Sequence, residues 1–520
     1  MFTHNRYLRC EYLDRGGDAT VYRAYDNVAE RYVVIKRYVT GSTDVLPTSV
    51  LRELSVLKKA RSQYVVTLQD VFYDDSSLCV VLRFGGRDIL TLMREGTLTP
   101  EDKDRLQVQV IEGINYLHSM GYIHGDLNLK NVLYDPVNAG TCLIDLCSAT
   151  RLHRKNSVYK PTSYVCPYEL LGQGDVASLS LSSLDIWMLG CVCYFLATDV
   201  PLFVSHDETS QRETIREVIF VSRSLDRIKG TGYEAIKKML SLGGAQREDI
   251  AWVARQYAPL YEKFSVRHAS ERIHRLDPNI RNACRRYNLA TRMNMAEEIA
   301  SADGLEAIFL VLKNVIRLPD SLNDRGSVTI CRWLVDKLVN GRDSMPVTDA
   351  GGDVRRIYSV CEALQWDLDP YTMYDYIRYV SDGVRKYYLL LAFLLICEPA
   401  FDVVPDIHKV VVLFTLLIRI FGSGRWDPMM VLITDTDADV ATDVATDAHT
   451  EANAEAHSER GARVAELYVE VLLFLNHCKN DDNLSLSGCS KLFDHDVVTW
   501  FQSLDFRGLY EPEQSQKVDL

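Results

Sequence analysis

One decapeptide limits the folds open to this chain more than any other stretch. Residues 122–131 read Tyr-Ile-His-Gly-Asp-Leu-Asn-Leu-Lys-Asn, with Asp126 five residues before Asn131, directly after a run of helical periodicity. Fourteen residues past Asn131, a short apolar run ends in Asp145. Two carboxylates and an amide in this order can take a proton from a hydroxyl and hold a hard cation beside phosphate groups. Taken alone, His-Gly-Asp is most often a surface turn. Its weight comes from what precedes and follows it.

Composition removes several alternatives. The chain has 520 residues, more than one core usually holds, so two to four domains are expected. It is 47% hydrophobic and 25% charged, in the range of globular proteins. The net charge of -13 disfavours nucleic acid as a partner, because phosphate backbones need a basic face. Thirteen scattered cysteines without a Cys-x-x-Cys pair fit reduced thiols, hence an intracellular place in nucleus or cytoplasm. The first residues, Met-Phe-Thr-His-Asn-Arg, carry no apolar signal core. The runs Tyr387 to Cys397 and Val410 to Ile418 are too short to span a membrane and read as buried helices, so no membrane partner is expected.

Upstream of the decapeptide, Tyr12 to Tyr22 reads as a hairpin with Gly16 at its centre. Tyr-Val-Val-Ile-Lys36 is a β-rich run ending in a lysine, and Pro47 to Lys58 opens a helix carrying Glu53. Downstream come Val-Cys-Pro-Tyr-Glu169 and Ser-Leu-Asp185-Ile-Trp-Met-Leu-Gly-Cys-Val, then Pro201-Leu-Phe. In this order the motifs resemble those of protein kinases. Pro47 to Glu53 and the stretch Leu78 to Met93 resemble the signature helix and hinge of the cyclin-dependent kinases, serine/threonine kinases of the CMGC group. The expected fold is α+β and bilobal, with a small β-rich N-lobe and a helical C-lobe over residues 1–260. The resemblance implies ATP and Mg2+ as cofactors and proteins as substrates. It assigns proton acceptance to Asp126, phosphate positioning to Lys36 held by Glu53, and metal to Asn131 and Asp145. Gly16, Val21, Val34, Lys36, Leu82, Arg83, Gly85, Asp88 and Leu133 fall on its nucleotide site. Ser157 falls on the activating phosphosite, while Glu169 and Asp185 fall on structural positions.

Several positions depart from that family. Counting back from Val21, the three glycine positions of the phosphate-covering loop are Asp14, Gly16 and Ala19. Gly125 replaces an arginine that grips the activation-loop phosphate, and Thr150 stands where another belongs, beside Arg151. Of that pocket Arg52 is clearly present. Asn128 replaces a lysine that steadies the transferring phosphate, and Lys130 is expected to substitute. Cys147 replaces a glycine, a residue chosen for backbone freedom.

Residues 275–500 read as helix after helix. Leu305 to Ile316, Ile330 to Lys337 and Arg355 to Ile377 resemble the first box of a cyclin passing into its second. Tyr388 to Cys397, Pro405 to Phe421 and Trp426 to Met430 follow the second. Lys337 falls on the lysine that cyclins point at the kinase, although the glutamate that partners it there falls on Ile357. A generic helical module is the other reading of the same apolar spacing. Residues 434–459 hold eight acidic residues and no Lys or Arg, a composition that cannot bury a core, and are expected to form a disordered acidic insertion. The combined expectation is a cyclin-dependent-type kinase fused to its own all-α cyclin-like domain of two helical boxes. An outside cyclin or regulator is a further possible partner. The alternative is a pseudokinase scaffold whose helical half binds partners, which the glycine-poor loop and Cys147 favour.

Overall fold

The computed structural model describes residues 5–16, 19–39, 46–74, 77–154, 162–171, 180–203, 232–264 and 266 of the first half. It also describes 305–322, 324–341, 354–375, 382–397, 469–476, 493 and 495–504, with isolated positions between 409 and 479. Ser157 and the acidic stretch 434–459 lie outside them. The chain divides into two compact units, Met1–Arg272 with Lys337–Asp343, and Ile273–Asp336 with Ser344–Leu520.

The first unit begins with a five-stranded antiparallel sheet ordered β1-β2-β3-β5-β4. Its strands are β1 (Tyr7–Arg15), β2 (Ala19–Asp26), β3 (Arg31–Val39), β4 (Leu68–Asp74) and β5 (Ser77–Arg83). Alternation along β3 puts Val33 and Ile35 on one face, where Cys79 and Val81 of β5 join them in one core, and the also buried Lys36 and Tyr38 on the other. Edge strand β1 is irregular, with register shifts between Leu8 and Glu11 and between Tyr12 and Asp14, and Arg9 at φ 51°. Helix α1 (Thr48–Leu57) interrupts the strands and buries Val50, Leu51, Glu53 and Leu54.

The helical part follows a short crossover of β6 (Arg87–Asp88) and α2 (Ile89–Arg94). Helix α3 (Pro100–Ser119) starts with a reciprocal capping box between Thr99 and Asp102 and has proline in its first turn. Strands β7 (Tyr122–Ile123), β8 (Val132–Asp135), β9 (Gly140–Leu143) and β10 (Thr150–Arg151) carry the loops of the site. Helix α4 (Leu181–Thr198) is apolar nearly all round, which marks a helix surrounded by protein. It alone among the described helices is long and apolar enough to cross a membrane, and 78% of it is buried inside the fold as a core helix. Helices α5 (Tyr233–Met239), α6 (Ile250–Gln256) and α7 (Ala258–Phe264) complete the unit. The packed region runs past residue 260: Tyr261 is buried, its hydroxyl donates to Glu112 at 3.1 Å, and Val266 is buried too.

In the second unit the regular structure among the described residues is helical. It includes residues 305–317, α8 (Arg325–Asn340, whose last turn from Lys337 is counted with the first unit), α9 (Val354–Ala363), α10 (Asp382–Cys397), residues 469–476 and α11 (His495–Ser503). Helix α9 ends in two left-handed residues, Gln365 and Trp366, where Trp366 N donates to Cys361 O. Asn314 and Arg317 bind the carbonyls of Leu368 and Asp367 at 2.9 and 2.8 Å, tying the first helical run to that turn. Thr372 N donates to Asp375, and the Tyr388 hydroxyl returns to Met373 O at 2.7 Å. Lys337 is fully buried, as is Ile357 nearly so.

Candidate active site

Lys36 is the centre of the site. Its Nζ lies 2.7 Å from Glu53 Oε1 on α1 and 3.0 Å from Asp145 Oδ1, so one ammonium joins sheet, helix and the loop after β9. Burial disfavours the Lys36 charge, but Glu53, Cys147 and Asp145 around it hold its pKa well above the usual lysine range. Burial likewise pushes the Asp145 carboxyl upward. The Lys36 charge and hydrogen bond outweigh that and hold it below the usual carboxylate range. Asp145 adopts φ 63°, ψ 67°, a left-handed conformation that residues with a Cβ take at a cost and that recurs where function over-determines the backbone.

The decapeptide forms a loop braced from below. Asp185 is completely buried at the start of α4 and accepts from His124 N at 2.8 Å, Gly125 N at 2.9 Å and His118 Nε2 at 2.9 Å. Burial raises the pKa of Asp185, yet His118 and the backbone donors keep it below the ordinary carboxylate range. The His124 ring accepts from Asp126 N at Nδ1 (3.3 Å), and its Nε2 bonds Ile144 O (3.0 Å), which assigns the proton to Nε2. Gly125 has φ 80°, and a Cβ there would lie 2.4 Å from Ser148 O.

Asp126 is held from two sides. Thr162 N donates to its Oδ1 at 2.7 Å, and Asn131 Nδ2 reaches its carbonyl at 2.8 Å and Oδ2 at 3.3 Å. Asn128 is buried and donates to Asp126 O (3.2 Å) and Thr162 Oγ1 (3.0 Å), while accepting from Lys130 N (2.9 Å). It therefore ties the loop to the segment beyond. Lys130 is exposed. Asp126, Asn131 and Asp145 offer hard oxygen donors of the kind that Mg2+ takes, and half-exposed Asp145 is open to solvent, so these residues suit a magnesium nucleotide.

The half-buried residues Val21, Val34 and Leu133 belong to the strands around this cleft. Val21 pairs with Lys36, Val34 with Leu82, and Leu133 with Asp88. Leu82 is buried. Arg83 N already donates to Thr67 O at 3.0 Å, so a base approaching Arg83–Gly85 meets the Arg83 carbonyl and the groups beyond, not that amide. Gly85 is tightly placed: a Cβ would lie 3.1 Å from Leu133 Cδ1 and 3.2 Å from Cys142 Cβ. Asp88 caps α2, accepting at 2.8 Å from both Thr91 N and Thr91 Oγ1. Gly16 N closes the β1–β2 turn on Ala19 O at 2.9 Å, where a Cβ would have ordinary room.

Glu169 forms a 2.7 Å ion pair with Arg247, whose side chain is fully buried. Arg247 also binds Ser183 O and Ser241 O, each at 2.9 Å, and lies over the Trp187 ring. Sequence reasoning missed Arg247, because it stands in an aperiodic stretch between two short helices. It also missed Tyr38, Thr162 and His118. Of these Tyr38 had a signal, two residues past Lys36 on the same face of β3. Arg151 is buried, with its guanidinium 5.2 Å from the centre of the Tyr122 ring.

Residues 7–256 match the protein kinase domain family. These residues are a protein kinase domain. Over 227 residues the chain is 30% identical to cyclin-dependent kinase 12 of Caenorhabditis elegans, covering 40% of this chain and 30% of that one. It is 29% identical over 220 residues to the CTD kinase subunit alpha of Schizosaccharomyces pombe, covering 40% and 36%. To a probable cell division protein kinase of Encephalitozoon cuniculi it is 27% identical over 223 residues, covering 42% and 82%. The chain thus spans about a third of the length of the first two relatives. All three matches cover about two fifths of this chain, a share the kinase domain accounts for.

Proposed function

We propose that the chain is an ATP-dependent serine/threonine protein kinase of the cyclin-dependent type, acting on protein substrates in nucleus or cytoplasm. The observation that carries the reading is the Lys36 bridge to Glu53 and Asp145 at 2.7 and 3.0 Å. Loss of such charged groups is what would disable phosphoryl transfer, where positioning and charge neutralisation do most of the work. Bound magnesium ATP would supply the γ-phosphoryl group and much of the charge neutralisation. Asn131 and Asp145 would hold the metal and Lys36 would meet the phosphates, while Glu53 fixes Lys36. Asp126 accepts the substrate hydroxyl's proton, for which the hydrogen bonds from Thr162 N and Asn131 orient its carboxylate. Lys130, exposed beside the loop, steadies the transferring phosphate in place of the lysine that Asn128 replaces.

The helical second half acts as a built-in cyclin-like domain. A tethered partner works at roughly millimolar effective concentration, which would keep Glu53 on Lys36 without a diffusing cyclin. What supports this is the order of the motifs around Trp366 and Thr372. Activation then depends little on phosphorylating Ser157, since Gly125 and Thr150 remove two of three arginines from the phosphate's pocket.

The test compares the full chain, Asp145→Asn, Ser157→Ala and residues 1–272. Nucleotide binding is measured with and without magnesium, then phosphate transfer to a basic protein. Transfer is expected from the full chain and Ser157→Ala, and loss of it from Asp145→Asn and the fragment. Nucleotide binding without transfer by the full chain would install the pseudokinase scaffold instead. A fragment as active as the whole would remove the built-in cyclin.

A further inference from the structure

Glu53 has a second set of contacts behind the Lys36 bridge. Its carboxylate is completely buried. One oxygen takes Lys36, and the other accepts from the Tyr38 hydroxyl and, at 3.7 Å, from the Cys147 thiol. Tyr38 Oη and Cys147 Sγ are themselves 3.8 Å apart. Three side chains from three elements thus close a triangle: Tyr38 from β3, Glu53 from α1, and Cys147 from the turn Leu146–Ser148 that packs against α1. A glycine at 147 could not contribute to it. Tyr38 is also fully buried, so its hydroxyl has no solvent to turn to.

We infer that Tyr38, assisted by Cys147, is a positioning residue that holds α1 with Glu53 turned onto Lys36 from within the kinase domain itself. This rests on the phosphoryl-transfer reading for its consequence in turnover, but not for its structural content. A buried carboxylate with one oxygen unsatisfied is costly, and a charged acceptor makes the stronger kind of hydrogen bond. With the phenol in place, an outward rotation of α1 breaks contacts on both Glu53 oxygens. Without it, the carboxylate keeps the lysine and the weaker Cys147 contact, and the rotation is opposed less. Removing the hydroxyl should therefore raise the outward population roughly tenfold. Where nucleotide binding selects the inward state, apparent affinity falls by the fraction that remains competent.

The experiment uses the full chain free of nucleotide, with Tyr38→Phe, Cys147→Ala, Glu53→Gln and the double variant Tyr38→Phe with Glu53→Gln. Hydrogen–deuterium exchange is followed in peptides of α1, β3 and β5, and affinity is measured by titration with a fluorescent ATP analogue and magnesium. Phosphate transfer is read separately. Tyr38→Phe should speed exchange across α1 roughly tenfold while leaving β3 and β5 at parental rates. Cys147→Ala should do the same more weakly. In the Glu53→Gln background, Tyr38→Phe should add no further loss of affinity or turnover, since both act through one carboxylate. Unchanged exchange in α1 overturns the inference. So does acceleration spread evenly over β3 and β5, which would make Tyr38 an ordinary core residue. If the parent transfers no phosphate, the transferase reading fails while exchange and affinity still decide the role of Tyr38.

Discussion

Adding one methyl group at residue 125 tests how the catalytic loop is built. Gly125 has φ 80°, and a residue with a Cβ pays roughly 1–2 kcal/mol in that left-handed region. The Cβ would lie 2.4 Å from the Ser148 carbonyl oxygen and 3.0 Å from its carbon, both backbone atoms that cannot rotate away. Real Cβ atoms essentially never approach below 3.0 Å, so the two segments must part by several tenths of an ångström. Gly125 N is already 2.9 Å from Asp185 Oδ1, and that displacement pushes the bond toward its limit of about 3.5 Å. Overpacking of this kind costs about 1–3 kcal/mol, so Gly125→Ala should destabilise the kinase domain by roughly 2–5 kcal/mol. Calorimetry on the full chain should show its transition lowered by roughly 5–15 °C. Because Asp126 follows directly, turnover should fall as well, by up to about a hundredfold. Gly125→Arg should fare no better than Gly125→Ala, although it restores the arginine that the family carries. A Gly125→Ala protein melting within a degree of the parent with equal turnover would refute the reasoning.

Lys130→Ala should lower kcat and leave ATP affinity nearly unchanged, the mark of an interaction made mainly in the transition state, and steady-state kinetics with varied ATP would show a KM effect instead if Lys130 only binds nucleotide. Asp185→Ala strands two backbone N–H groups and His118 in the core, and should cost about 3–5 kcal/mol in denaturant melts, whereas a loss below about 1 kcal/mol would mean water takes over as acceptor. Arg6 hydrogen-bonds Asp26 and lowers its carboxyl from the usual range to about 2, so this pair contributes stability above pH 4 or so, and the contribution is lost as pH falls through about 2. Removing it by Arg6→Met should flatten the acid limb of the stability profile by up to about 2 kcal/mol between pH 5 and 2, less what the Val28 and Ala29 N–H groups on Asp26 retain, and an unchanged limb would reassign acid sensitivity to other carboxylates.

The chemistry of the site was more legible in the sequence than its scaffolding. Lys36, Glu53, Asp126, Asn131 and Asp145 carry their function in residue type and order, and the fold brings Lys36, Glu53 and Asp145 into contact across more than a hundred residues. What surrounds them depends on third dimensions that spacing does not encode. Asn128 read as a lost lysine, yet its amide makes three hydrogen bonds, two that bind Asp126 to Thr162 and one from Lys130 N. Asp88 read as a nucleotide-site residue, and its carboxylate caps a helix. Arg247 gave no signal, because a buried arginine is recognisable only once Glu169 and Trp187 are seen around it. The limit near residue 260 missed Tyr261 and Val266 because α7, at seven residues, is too short for its apolar face to show a period. In the second half, apolar spacing marks which face of each helix is buried but not which helix it meets, so the two-box order stays a proposal.

Strand β1 has a consequence for how copies of this chain behave in concentrated solution. Among the described residues only one of its sides is paired, and Leu8, Tyr12 and Leu13 lie exposed along it. A straight strand of that kind is a template on which another molecule can extend the sheet. Here the two slips in register and the left-handed Arg9 bend the strand, so its free amides and carbonyls do not form a continuous row. The irregularity costs some regularity of pairing with β2, and in return it makes the edge a poorer template for aggregation.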